Sequence, residues 1–381
     1  MDFHLSDEES LIRQTARDFA DREVKPVAAE VDDKEDIPTA IIQKMAELGF
    51  MGMLIPEKYG GAGLNVFSLT LAAMELNRAS ASVGITMSVH NSLVASPILH
   101  FGNDEQKQRF LPRLASAEAI GAYALTEAGA GSDAAALSTA APRDGGDYIL
   151  NGEKLFVTNG AIADLFIVFV RTHPDRAVRA KGISAFVVER DTAGFTVGKK
   201  EKKMGIRGSS TVSLHFDDCR VPAANLIGTE NGGFAVAMHT LDGGRVGVAA
   251  QSVGIAEACL ESSLKYAKER KQFGKFIGEF QAIQWKVADM ATRLDAARLL
   301  TLRAARLRDE DAPHTKEAAM AKLFASTLAN DAATQAIQVH GGVGYTKEFP
   351  VERFFRDAKI TEIYEGTTEV QKIVIARELL K

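Results

Sequence analysis

The hydrophobic period changes twice along the chain. From Ser6 to about Leu114 apolar residues fall at helical spacing. Ser6-Asp7-Glu8-Glu9 reads as a capping box and opens a run whose apolar face is Leu11, Ile12, Ala16, Phe19 and Ala20. After Pro38, the residues Ile41, Ile42, Met45 and Leu48 repeat at i, i+1, i+4 and i+7 and the run stops at Gly49, which predicts a second helix ended by glycine. Gly60-Gly61-Ala62-Gly63 reads as a loop, and helices are predicted again over roughly 67–79 and 104–115.

Between about Ala122 and Gly228 the texture shifts to short β-branched and aromatic runs. Strands are predicted at Tyr148 to Leu150, Leu155 to Thr158, Leu165 to Arg171, Ile183 to Glu189 and Val212 to Phe216, with Asn151-Gly152 and Asn159-Gly160 as turn dipeptides. From Phe234 helical periodicity returns over about 234–270, 280–309, 314–339 and 368–380, interrupted by glycines at 341–344 and by Pro350. Segments near 30 residues are bundle lengths.

The chain is 381 residues long, which at ~150 residues per domain implies two to three domains. The texture divides it into an N-terminal α-helical domain (1–120), a middle β-barrel or sandwich domain (121–228) and a C-terminal α-helical four-helix bundle (229–381), a multidomain α+β fold. No repeat or low-complexity linker separates them, so they are expected to pack together and leave ligand clefts between them.

A net charge of -5, with 45 basic residues dispersed along the chain, offers no basic field for nucleic acid. Cys219 and Cys259 stand in no metal-binding spacing; they suit a reducing compartment and read as buried free thiols, with no metal expected. The start Met1-Asp2-Phe3-His4-Leu5-Ser6-Asp7-Glu8-Glu9 is acidic where a presequence is basic, giving a cytoplasmic expectation, or a mitochondrial matrix one for a mature chain. The longest apolar run, Leu165 to Val170, falls far short of the ~20 residues that cross a bilayer, so no membrane insertion is expected.

No P-loop, no GxGxxG between strand and helix, no HExxH and no GxSxG is present, so any cofactor would be held on a scaffold other than Rossmann. Four segments combine glycine, hydroxyl and charge at element ends. Tyr123-Ala-Leu-Thr126-Glu-Ala-Gly-Ala-Gly131-Ser132-Asp133 lets backbone amides approach a ring or phosphate, or is an ordinary linker. Glu269-Arg270-Lys271-Gln272-Phe273-Gly274 places cations at a helix end, where they complement the negative end of the dipole; it is a site or a mere C-cap. Gln338-Val339-His-Gly341-Gly342-Val-Gly344-Tyr345 is a site or mere punctuation. In Ile363-Tyr364-Glu365-Gly366-Thr367-Thr368-Glu369, the Glu365 carboxylate is either a base beside a permissive glycine or an acidic residue decorating a helix N-terminus.

In order and spacing these segments, with Phe156-Val157-Thr158, GIRGSS at 205–210 and LDGGR at 241–245, closely resemble the acyl-CoA dehydrogenase family of flavoenzymes over essentially the whole chain. The resemblance implies an α domain, a β domain and an α bundle, with FAD as cofactor. It places Tyr123, Leu125, Thr126, Gly131 and Ser132 along the flavin and its pyrophosphate, and Phe156, Val157 and Thr158 near the ring. Arg270, Gln281, Gln338, Val339, Gly341 and Gly342 are implied to reach the cofactor of a neighbouring subunit, Gln272 and Phe273 to be cofactor-binding, and Thr367 and Glu369 to approach from the local chain. A homotetramer is therefore expected.

The implied reaction is α,β-dehydrogenation of an acyl-CoA thioester to a trans-2-enoyl-CoA, with Glu365 taking the α proton and the β carbon giving hydride to flavin N5. Such chemistry needs a base of raised pKa and stabilisation of enolate-like charge. Desolvation beside Tyr364 would raise the pKa, and Gly366 would leave room for the thioester. Ser132, Asp242 and Arg245 match CoA-contacting positions.

Some relatives carry the base just before the LDGGR arginine; here that residue is Gly244, which leaves Glu365. Gln251 and Thr361 match positions that narrow the acyl pocket in the short-chain subgroup, so a short straight-chain substrate such as butyryl-CoA is expected. Phe156 stands where the family commonly has Trp beside the flavin, and the one tryptophan is Trp285 on a predicted helix. Electron-transferring flavoprotein is the expected acceptor. An acyl-CoA oxidase and a non-catalytic acyl-CoA or flavin-binding scaffold are the competing readings; the chain length and the presence of Glu365 favour the dehydrogenase.

Overall fold

The computed structural model describes residues 4–381. The first part is helical: α1 (Asp7–Phe19), α2 (Ala28–Lys34), α3 (Thr39–Glu47), α4 (Val66–Ala79), α5 (Ala81–Val89), α6 (Ser96–Phe101) and α7 (Asp104–Ala115). The capping box at the start of α1 forms in both directions, Ser6 N to the Glu9 carboxylate at 2.9 Å and Glu9 N to Ser6 Oγ at 3.1 Å. The start of the acidic N-terminal stretch, residues 1–3, lies outside the described residues.

Two residues assigned to apolar faces point outward instead: Leu11 is 67% exposed, and Leu48 is 45% exposed because it follows the last turn of α3. Within this helical region, the run from α5 through a π-helical turn at His90–Ala95 to α6 is one that the periodicity does not resolve into elements. From Ala81 to Ile98 it is buried all round, so Thr86, His90, Asn91 and Ser92 bond backbone carbonyls rather than water and break the two-faced pattern.

The middle part is a sandwich. Its strands are β1 (Gly121–Ala124), β2 (Arg143–Asp144), β3 (Asp147–Thr158), β4 (Leu165–Arg171), β5 (Ile183–Glu189), β6 (Phe195–Lys200), β7 (Thr211–Pro222) and β8 (Leu226–Ile227). They form two four-stranded sheets, ordered β1-β4-β5-β8 and β2-β3-β7-β6. The inner faces meet through Phe166, Val168 and Phe186 from one sheet and Tyr148, Leu150, Val212 and Leu214 from the other. The outer face of β4 and β5 (Ile167, Phe169, Val187) packs under helices, so β4 is buried on both faces and reads as a continuous apolar run.

Asn151-Gly152 is not a turn. The two short strands predicted around it are one twelve-residue β3, and the register against β7 shifts between Leu150 and Gly152 and again between Lys154 and Val157. A bulge absorbs the glycine, whose φ of +145° few other residues adopt.

The last part comprises α8 (Gly233–Glu269), a small hairpin of β9 (Lys271–Gln272) and β10 (Lys275–Phe276), α9 (Gln281–Asp309), α10 (Thr315–His340), α11 (Val351–Lys359) and α12 (Thr368–Leu379). The first and last parts share one core, in which Met45, Leu71, Met74 and Leu76 meet Val246, Val253, Ala321, Ala325 and Leu328. Asp309, at the end of α9, caps α4 by accepting from Val66 N at 2.7 Å and Phe67 N at 2.9 Å. Among the described residues, no helix is long and apolar enough to cross a membrane.

Candidate active site

Glu365 lies in the short link between a 3-10 turn at Ile360–Glu362 and α12, whose N-cap is Thr367. Its φ is +55° and that of Gly366 is +88°, two successive left-handed residues of which only the second is a glycine. A non-glycine residue in that region costs about 1–2 kcal/mol, so the surroundings must enforce it. The residue retains some surface, but its Oε2 is closed off from solvent and has no hydrogen-bond partner.

Burial pushes the Glu365 carboxyl up to about 7, against the pull of Arg245 and Lys322 toward the ionised form. Gly244 of α8 is packed so tightly on this carboxylate that a Cβ there would fall 2.5 Å from Oε2 and 3.0 Å from Leu93. The glycine at the alternative base position thus makes the space that Glu365 fills. Ile85, Val89 and Leu93 form an apolar wall with Tyr123 and Tyr364 against them. The Tyr123 hydroxyl is buried and unpartnered, and burial followed by the Glu365 charge drives its pKa well up. Tyr123 therefore reaches from β1 into the neighbourhood of Glu365.

Below Tyr364, its hydroxyl donates to Gln251 Oε1, leaving the buried Gln251 Nε2 without a partner. Thr361 is fully buried and turns its hydroxyl to the Ala358 carbonyl at 2.7 Å. Arg245 is paired with Asp242, whose other oxygen accepts from Thr315 Oγ1 at 2.7 Å. The α8 residues Phe234, Met238 and Leu241 and the loop residues Leu125, Ala130 and Ala134 belong to one apolar cluster.

That loop is anchored by an ion pair that the sequence reading missed. Lys154 Nζ, fully buried, meets Glu127 Oε1 at 2.6 Å; Glu127 also accepts from Ser138 N at 2.6 Å, Ser138 Oγ at 2.8 Å and Thr139 N at 3.0 Å. Leu155 N donates to Thr126 O at 2.8 Å, so Thr126 lies against the strand carrying Phe156, Val157 and Thr158. Phe156 has φ +56° and is 65% exposed, while Val157 turns into the sandwich core. Cβ atoms added at Gly129 or Gly131 would meet nothing within 4 Å, so this side of the loop stands open.

The second and third segments meet elsewhere. Ala267, Ile277 and Val339 form a satellite core with Phe280 and Ile283, and Tyr266 stacks on His340 at 4.4 Å. This gathers the exposed Arg270, Gln272, Phe273, Gln281, Gln338, Gly341 and Gly342 at one end of the bundle, with Val339 presenting only its backbone. Lys322, near Glu365, and Gln338 are on the same helix; sixteen residues at 1.5 Å put them about 24 Å apart. Thr367 caps α12 and the exposed Glu369 follows in its first turn.

Two buried polar side chains beside Glu365 also escaped the sequence reading. Lys322 Nζ donates to Gly366 O at 2.7 Å, and Gln371 Nε2 to Gly366 O at 2.8 Å and Glu365 O at 3.1 Å. The signal for the first was present: Lys322 interrupts the apolar stripe Ala318, Ala321, Ala325, Ala329 at core spacing. Among the described residues no group of three or more His, Cys, Asp or Glu could hold a metal ion.

Comparison with known proteins accounts for nearly the whole chain. The profiles of the N-terminal, middle and C-terminal domains of acyl-CoA dehydrogenases match residues 6–118, 122–219 and 231–380. The chain is 50% identical over 381 residues, all of both chains, to the short-chain specific acyl-CoA dehydrogenase of Clostridium acetobutylicum. Butyryl-CoA dehydrogenase from Megasphaera elsdenii superposes with a TM-score of 0.97 at 46% identity, covering both chains fully. A chain in the structure of the electron transferring flavoprotein of Acidaminococcus fermentans superposes with a TM-score of 0.98 at 49% identity, again over 100% of each. The three-domain order, the family profiles and the full-length identity agree, and the chain belongs to the acyl-CoA dehydrogenases, oxidoreductases that carry FAD.

Proposed function

We propose that this enzyme oxidises a short straight-chain acyl-CoA, of which butyryl-CoA is the representative, to the trans-2-enoyl-CoA. The observation that carries this reading is the enclosed, unpartnered Oε2 of Glu365 with its pKa near 7. A carboxylate that is half ionised at neutral pH and spends no hydrogen bond on its neighbours is poised to take a proton from carbon. FAD, when bound, supplies the acceptor for the hydride that leaves the β carbon.

The chain's own residues do the rest. Glu365 removes the α proton and holds it. Its backbone N–H, which donates to no protein carbonyl among the described residues, is free for the thioester oxygen, where charge develops as the proton leaves. Arg245 and Lys322 favour the ionised base, and the walls of Ile85, Val89, Leu93 and Tyr364 exclude water. Ser132, Asp242 and Arg245 would hold the CoA portion. Gln251, Thr361 and the Tyr364 ring close the acyl pocket and limit the chain length; since one methylene changes binding by only ~1 kcal/mol, the preference among neighbouring lengths is graded.

For the cofactor, Tyr123, Leu125, Thr126, Gly131 and Ser132 form the cradle with Phe156, Val157 and Thr158 at the ring, and Thr367 and Glu369 approach from the base's side. The cluster of Arg270, Gln272, Phe273, Gln281, Gln338, Val339, Gly341 and Gly342 lies at the other end of α10, about 24 Å along the helix from Lys322. It serves the site of a neighbouring copy, and the assembly is a homotetramer. Electrons leave to an electron-transferring flavoprotein.

Anaerobic titration tests this. The purified protein is expected to be yellow, and butyryl-CoA to bleach the flavin band in preference to longer or branched thioesters; no bleaching with any acyl length would overturn it. Fast peroxide formation in air without an acceptor protein would instead mark an oxidase.

A further inference from the structure

The base occupies a backbone conformation that its own residue type disfavours, and two fully buried side chains from different helices converge on that stretch of backbone. Lys322 of α10 and Gln371 of α12 both donate to Gly366 O, at 2.7 and 2.8 Å, and Gln371 also donates to Glu365 O at 3.1 Å. Both donors are 0% exposed. A buried ammonium without a carboxylate in hydrogen-bond contact costs several kcal/mol of desolvation, which packing alone would have removed by placing an apolar residue there. The other polar contacts around this turn go elsewhere: Ile363 N and Tyr364 N donate to Ile360 O at 2.9 and 3.2 Å, Val370 N to Thr367 Oγ1 and Thr368 Oγ1 to Glu362 O at 3.4 Å each, and the Tyr364 hydroxyl to Gln251.

We propose that Lys322 is a positioning residue for proton abstraction: with Gln371 it pins the Glu365-Gly366 backbone in the left-handed turn that aims the carboxylate and the Glu365 N–H at one substrate. This rests on Glu365 being the base. The two donors do different things. Gln371 is neutral and acts only through geometry. Lys322 also places a positive charge one peptide away from the carboxylate, close enough to favour its ionised form yet engaged elsewhere, so it does not occupy the oxygen that must receive the proton. The charged and titratable groups facing Glu365 are Arg245 from α8, Lys322 from α10, Tyr123 from β1 and Tyr364 from its own turn. The walls from α5 and the π-helical turn offer only Ile85, Val89 and Leu93, and α12 only Gln371. Lys322 itself faces Glu362 and Glu369 as well as Glu365 and Arg245.

The test uses the holoenzyme with butyryl-CoA under anaerobic stopped flow. Lys322→Met is expected to bind FAD and butyryl-CoA but to bleach about 100-fold more slowly, the scale of a small misplacement of a reacting group. The acid limb of its rate profile should move about one unit toward higher pH, because a cation that favoured the carboxylate is gone. Gln371→Met should slow bleaching with that limb unmoved. Ethylamine should restore part of the rate in Lys322→Ala, which repacking around a merely structural lysine would not allow. Independently of turnover, an infrared pH titration of the Glu365 carboxyl, with Glu365→Gln as the blank, should show the same upward shift in Lys322→Met. A wild-type rate and an unmoved limb in Lys322→Met overturn the proposal, and so does an unshifted carboxyl titration. If Lys322→Met does not fold, the Gln371→Met rate and limb decide the geometric half and amine rescue of Lys322→Ala the charged half. Wild-type bleaching in Glu365→Gln would overturn the assignment of the base instead.

Discussion

Glu127 and Glu365 are both enclosed glutamates with a buried lysine close by, and they end up at opposite extremes. Glu127 is held down at about 2 and Glu365 pushed up to about 7, although burial raises both. In the loop after β1, Lys154 Nζ touches the carboxylate at 2.6 Å and three further donors saturate it. In the turn before α12, Lys322 Nζ goes to the Gly366 carbonyl and no donor reaches Oε2. Both ammonium groups are themselves pulled down to about 8 by desolvation. The residue types do not separate the two regions. A displacement of the cation by one peptide unit turns a structural rivet into a carboxylate free to exchange a proton.

The largest break in this comparison removes the proposed proton acceptor. Glu365→Gln keeps size and shape and should retain FAD and acyl-CoA binding while slowing flavin bleaching by about 10³–10⁴-fold, at the upper end of what general-base catalysis supplies. Glu127→Gln should leave the chemical step far less affected, because that carboxylate is committed to the backbone. Single-turnover bleaching by butyryl-CoA in both variants reads the contrast directly.

Next in size is the converse experiment. Lys154→Met leaves Glu127 as a buried charge without its partner, a change that costs roughly 3–5 kcal/mol. Thermal unfolding should fall steeply and FAD should be lost more readily, since the same carboxylate ties Ser138 and Thr139 to the loop that carries Thr126, Gly131 and Ser132. A midpoint within a degree or two of wild type would show that the pair does not hold this loop.

The sequence disclosed one of these two regions better than the other. The long α8, α9 and α10, the β4 run and the capping box were legible because a single face or a continuous apolar stretch sets their period. Glu365 stood out through its glycine neighbour and its segment's resemblance to a family. What pins it did not, because Lys322 and Gln371 lie 43 residues before and 6 residues after it and meet it only through tertiary packing. The Glu127–Lys154 pair was hidden in the same way, with β3 misread as two strands at Asn151-Gly152. The α5 to α6 run that walls the site was invisible because burial on every side erases amphipathic period.

The same two glutamates predict opposite pH dependences of stability. Glu365 has a folded value near 7, above its ordinary 4.5, so the folded state holds the extra proton and stability falls as pH rises through 4.5 to 7. Glu127 has a folded value near 2, below 4.5, so its contribution is complete above 4.5 and is lost as pH falls toward 2. Glu365→Gln should therefore raise the unfolding free energy at pH 8 by roughly 1–3 kcal/mol relative to wild type and change little at pH 4.5. Thermal midpoints of the two proteins at both pH values check the sign; a larger gain at the acidic end would contradict the environment described for Glu365.

The smallest change sharpens the comparison by crowding rather than removing a group. Gly244→Ala adds one methyl to α8, where its Cβ would sit 2.5 Å from Glu365 Oε2 and 3.0 Å from Leu93 Cδ2. The helix gains up to about 1 kcal/mol from replacing glycine, so stability should hold. The carboxylate cannot stay where it is, and because Lys322 and Gln371 hold the backbone of the turn, the side chain alone must rotate. About tenfold slower bleaching is expected, within the range that small misplacements of a catalytic group cause, together with weaker binding of straight-chain thioesters. The corresponding glycines of the Glu127 loop, Gly129 and Gly131, face open space, so Gly129→Ala should leave both the fold and the Glu365 side chain untouched. If Gly244→Ala reacts at the wild-type rate, the carboxylate has a second productive position, and the tight seat between α8 and the left-handed turn is not what sets its reactivity.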